Sequence, residues 1–140
     1  MKSILIYNAH IIDPSQKINL VGSVFITDGK IAWIGTDDKE YRTHDNILIN
    51  AQYWLVTPGF IDLHCHLRDP GFEGKETIST GTLAAARGGY TTICCMPNTE
   101  PAIDNQAVVT YINNKAAEQG TIRVLPIGCI TKGRKGESLA

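Results

Sequence analysis

The sequence predicts an α/β fold, with strands alternating with helices in a parallel sheet, preceded by a small β unit. Two observations carry this reading. Beyond Trp54, strand-like apolar runs at 56–66, 90–96 and 123–130 are separated by helix-like segments at 76–87 and 105–119. The first 50 residues contain only strand-like runs and turns. Strands that alternate with helices imply a parallel sheet, because the crossover carries each strand back to the same end.

Residues 4–12 are rich in β-branched and aromatic side chains, and Asp13-Pro14-Ser15 closes them. Residues 24–27 and 30–35 flank Asp28-Gly29, a hairpin signature, because a tight turn there needs positive φ. Residues 36–46 are polar and read as loop, and 47–50 as a short strand. The segment 56–66 reads as the first strand of the parallel sheet. A helix over 76–87 ends at Gly88-Gly89. The second strand, 90–96, closes at Pro97-Asn98-Thr99. Asp104 is a candidate cap for a helix over 105–119, which Gly120 stops. The third strand covers 123–130, and the Gly/Lys-rich run 131–136 follows it. The expected division is 1–53 for the β unit and 54–140 for the α/β part.

The chemistry concentrates in Asp62-Leu63-His64-Cys65-His66-Leu67-Arg68. On a strand, successive side chains alternate between faces. Asp62, His64, His66 and Arg68 would share one face, and Ile61, Leu63, Cys65 and Leu67 the other. Two His at i and i+2 can reach one metal ion, and neutral imidazole is a common zinc ligand. Arg68 presents a planar fork suited to a carboxylate; the alternative is an ion pair with Asp69 or Glu73. Asn98, at the end of the next strand, offers a donor and an acceptor to a substrate, or caps the turn after Pro97. Asp62 either orients a His through its ring N–H or makes a buried hydrogen bond to a neighbouring strand. Asp69-Pro70-Gly71 reads as a turn. Lys75, Glu76 and the basic residues Lys132, Arg134 and Lys135 read as solvated. His10 and His44 read as surface or loop residues.

Site residues drawn from several strand ends are the habit of the (β/α)8 barrel. No Gly-x-Gly-x-x-Gly follows the first strand, which counts against dinucleotide binding. A complete barrel takes about 250 residues. The stretch 54–140 supplies only the first three β/α units. The expectation is therefore the amino-terminal part of a longer protein, with exposed strand edges of its own.

At these residues the chain resembles the amidohydrolase superfamily, and more closely the long (type I) class of dihydroorotases. The matching segments are 58–71, Lys75-Glu76-Thr77 through Gly88-Gly89-Tyr90-Thr91-Thr92, and Cys95-Met96-Pro97-Asn98-Thr99. The His pair identifies only the superfamily, whereas Arg68 and Met96-Pro97-Asn98-Thr99 carry the finer likeness. The resemblance implies a barrel preceded by part of a β-sandwich, and reversible conversion of N-carbamoyl-aspartate to dihydroorotate in pyrimidine synthesis. It implies one or two zinc ions held in part by His64 and His66, with substrate bound by Arg68 and Asn98. Zinc would lower the pKa of a water and polarise the ring carbonyl. The remaining ligands and a proton-shuttling Asp would lie beyond Ala140, so the chain alone would be inactive. Implied partners are a second copy or aspartate transcarbamoylase. The competing readings are another cyclic amidohydrolase, such as an allantoinase or dihydropyrimidinase, and a non-catalytic partner protein.

Composition sets outer bounds. Of 140 residues, 43% are hydrophobic and the formal net charge is −1, which gives no basic surface for nucleic acid. No apolar run approaches the roughly 18 residues of a membrane span. The opening residues read as a strand rather than a signal-peptide core, so a cytoplasmic protein is expected. Four cysteines, Cys65, Cys94, Cys95 and Cys129, sit in apolar segments without Cys-x-x-Cys spacing and read as reduced, structural thiols.

Overall fold

A computed structural model describes residues 2–140. The chain divides into two units at Pro58/Gly59.

The first unit is a single five-stranded sheet. Strands β1 (Ile4–Asp13), β2 (Ile18–Thr27) and β3 (Lys30–Gly35) form an antiparallel meander. The β2–β3 turn is Asp28-Gly29, both at positive φ (50° and 71°), as the hairpin signature requires. On its other side β1 pairs in parallel with β4 (Ile47–Asn50) and β5 (Leu55–Val56). A register shift between Ile6 and Ala9 places Asn8 at φ 59°, a conformation that Asn tolerates. Ala9, Ile11, Val24 and Ala51 form the buried cluster. The polar stretch 36–46 is anchored: Asp38 is 8% exposed and accepts from Ser23 Oγ at 2.5 Å and from Arg42 Nε at 2.6 Å. Arg42 in turn lies 4.1 Å over the Tyr7 ring.

The second unit has a three-stranded parallel sheet, β6 (Phe60–Cys65), β7 (Tyr90–Cys95) and β8 (Arg123–Pro126), in that order. Helices α1 (Ile78–Arg87) and α2 (Gln106–Gln119) form its crossovers. Ile78, Ile103 and Ile112 are fully buried and pack with Leu67, Ile93, Cys95, Val108 and Val124. Each such isoleucine contributes about 1.5–3 kcal/mol through burial. Helix α1 starts at a capping box in which Thr77 and Thr80 bond reciprocally, and Gly89 at φ 83° ends it.

Three local expectations change, and one of them is the third strand, expected over 123–130, which ends at Pro126. The strand expected over 56–66 is two strands in two sheets, because β5 pairs with β1 and Pro58-Gly59 interrupts the run. Asn105, not Asp104, caps α2, its Oδ1 accepting from Val108 N at 3.2 Å. Asp104 instead accepts from Gly133 N at 2.7 Å and ties down the 131–136 run. That bond, followed by the one from Asn105, holds its carboxyl below the usual range.

Candidate metal and substrate site

Strand β6 does not alternate strictly. Asp62 pairs with Ile93 and Cys65 with Cys95, so β6 takes three steps where β7 takes two. Paired residues share a face of the sheet. Cys65 packs against the core cluster with Ile93 and Cys95, and Asp62 borders a cleft together with His66 and with Ala84 and Ala85 of α1. The extra residue interrupts strict alternation along β6, and Asp62 and His66 still border the same cleft. Asp62 Oδ1 accepts from the backbone N of His64 at 3.0 Å, so it holds the main chain of that residue.

His64 and His66 are both exposed, and their rings lie edge to face with centroids 5.2 Å apart. Two metal–nitrogen bonds of about 2.1 Å can bridge that separation. His66 Nδ1 lies 2.9 Å from Asn98 Oδ1. An amide oxygen only accepts, so Nδ1 is the donor in this contact, and in the neutral imidazole Nε2 then keeps its lone pair. The donor set thus fits a metal that prefers imidazole nitrogen. Among the described residues no group of three or more His, Cys, Asp and Glu is placed to hold an ion. The two imidazoles are a partial ligand set.

Arg68 lies just beyond β6 with φ 63°, and its carbonyl accepts from Phe72 N at 2.9 Å. The ion pair with Asp69 or Glu73 is not formed. Asp69, 1% exposed, is held by Lys115 Nζ at 2.9 and 3.0 Å and by Tyr111 Oη at 3.2 Å. Glu73 Oε1 accepts from Gly71 N at 2.9 Å. Gly71, at φ 97°, has no room for a β-carbon against the Glu100 backbone. The loops after β6 and β7 therefore approach closely, and Glu100 N donates to Pro70 O at 3.0 Å.

The Asp69–Lys115–Tyr111 cluster was not legible in the sequence. Its partners are 46 and 42 residues apart, and Asp-Pro-Gly reads locally as a turn. Glu76 also does more than face solvent: its Oε1 accepts from Thr77 N at 3.2 Å and from Thr80 Oγ1, at the start of α1. His10 and His44 are exposed and belong to the first unit, where His10 Nε2 meets Asn19 Oδ1 at 2.7 Å.

The thiols are quiet. Desolvation, then the neighbouring Cys95, pushes Cys65 up to about 12. Desolvation pushes Cys95 up to about 11.

Solved structures share this fold. The L-hydantoinase (dihydropyrimidinase) of Arthrobacter aurescens matches 93% of the chain and 28% of its own length, with TM-score 0.80 and 23% identity. The dihydropyrimidinase of Brevibacillus agri matches 92% of the chain and 27% of its own length, with TM-score 0.72 and 28% identity. The fold is therefore of amidohydrolase type. Residues 54–140 match the profile described as "Dihydro-orotase-like", and the chain belongs to that family. Relatives named dihydroorotase agree: that of Acetivibrio thermocellus is 51% identical over 136 residues (97% of this chain), and that of Syntrophotalea carbinolica 53% over 137 (98%). The chain spans 31–32% of the length of these curated relatives. Among the described residues no helix is long and apolar enough to cross a membrane.

Proposed function

We propose that this chain is the amino-terminal portion of a zinc-dependent dihydroorotase, which interconverts dihydroorotate and N-carbamoyl-L-aspartate in pyrimidine synthesis. Its second unit supplies the first three strands and the first two helices of a (β/α)8 barrel, one helix short of the three β/α units expected from the sequence. The observation that carries the reading is the contact between His66 and Asn98, which joins the ends of β6 and β7.

His64 and His66 are the proposed zinc ligands within the chain. Zinc, when bound, lowers the pKa of a water and polarises a carbonyl. Arg68 pairs its guanidinium with the substrate carboxylate. Asn98 uses Oδ1 to hold His66, which leaves its Nδ2 free to donate to the substrate. Asp62 acts indirectly by fixing the His64 main chain. A proton-shuttling Asp from a later strand is part of the proposal, as are further ligands. The isolated chain is expected to be inactive.

The test is His64→Ala in the complete protein. The expected result is loss of bound zinc, measured by elemental analysis, together with loss of dihydroorotate turnover. Unchanged zinc content and rate would remove the basis for this function.

A further inference from the structure

Arg68 stands between two anchored neighbours. Leu67 is 4% exposed and belongs to the core cluster, and Asp69 is 1% exposed. The Asp69 carboxylate takes three donors: Lys115 Nζ, Tyr111 Oη and, at 3.4 Å, the backbone N of Ile78. Two of these come from α2 and the third from the start of α1. Arg68 itself is in the left-handed region, which a residue with a β-carbon holds only when its surroundings impose it.

The side-chain cluster lies outside the proposed metal and substrate contacts. A buried carboxylate with a lysine partner is strongly held, because the buried Asp69 charge is costly to leave unpaired. The bonds that Lys115 Nζ donates to Tyr111 and then to Asp69 also raise the Lys115 pKa above its ordinary value, so the ammonium stays charged.

We infer that Lys115 and Tyr111 are positioning residues, which set the direction of the Arg68 side chain by clamping Asp69. The inference rests on the proposed role of Arg68 for its effect on catalysis, but the clamp has its own readout. It predicts that the outer helix α2, rather than the strand end alone, controls substrate affinity.

Lys115→Met in the complete protein tests this with two measurements. Hydrogen exchange of the Phe72 amide, which donates to the Arg68 carbonyl, should speed up by about tenfold or more. KM for dihydroorotate should rise about tenfold with kcat within about twofold, and Lys115→Arg should restore it. Should Lys115→Met fold poorly, Tyr111→Phe removes one neutral donor and should raise KM about threefold. Unchanged exchange at Phe72 would overturn the clamp. Faster exchange with unchanged KM, or an equal loss in kcat, would overturn the positioning role. A wild-type protein that does not turn over dihydroorotate would refute the proposed function instead, and the exchange measurement would still decide the clamp.

Discussion

His66 Nδ1 lies 2.9 Å from Asn98 Oδ1, a contact between residues 32 apart in sequence. With Nδ1 donating to the amide oxygen, the neutral imidazole has Nε2 available to a metal. Partners of this kind typically change metal affinity by about 10–100-fold when removed. Asn98→Leu is therefore expected to weaken zinc binding by at least about tenfold. Titration against a chromophoric chelator measures it, and wild-type affinity would show that the contact is incidental.

The first unit should carry an acid-sensitive anchor. The bond from Arg42, then that from Ser23, draws the Asp38 carboxyl below its ordinary 3.8, against desolvation. A depressed folded pKa stabilises the fold at pH above the unfolded value, and that contribution is lost as pH falls through the folded one. Arg42→Met should cost about 1 kcal/mol near neutral pH, a figure reduced because Arg42 is partly exposed. The gap between variant and wild type should close only in acid below 3.8. Thermal melts across pH test this, and a gap that is constant to the lowest pH would refute it.

Cys65 and Cys95 should resist alkylation in the native state. With a pKa of about 12, Cys65 holds about one part in ten thousand as thiolate at pH 8. Mass spectrometry after iodoacetamide should find both unmodified until denaturant is added. Rapid native labelling of either would mean that its burial is wrongly described.

Packing in the second unit centres on Ile78, Ile103 and Ile112, all at 0% exposure. Ile112→Ala should destabilise that unit by about 2–5 kcal/mol in urea unfolding. Thr110→Ala, on the exposed side of the same helix, should stay within about 0.5 kcal/mol. Equal costs at both positions would contradict the placement of α2.

Much of this architecture could be read from local patterns. Asp28-Gly29 declared the hairpin, and Gly88-Gly89 the end of α1, because both turns depend on the residues that make them. The His pair, Arg68 and Asn98 stood out by residue type and spacing. What stayed hidden was set by distant partners. The extra residue in β6 is defined by pairing with β7. Leu55-Val56 reads as the start of the next strand until β1 claims it. Asp69 reads as a turn residue until Lys115, on α2, reaches it.

The most direct measurement is the KM for dihydroorotate of Arg68→Met in the complete, zinc-loaded protein. A charged bond to the substrate carboxylate is worth about 1.5–3 kcal/mol, so KM should rise roughly 10- to 150-fold with zinc content unchanged. An unchanged KM at normal zinc content would contradict the assigned substrate contact and, with it, the dihydroorotase reading of this site.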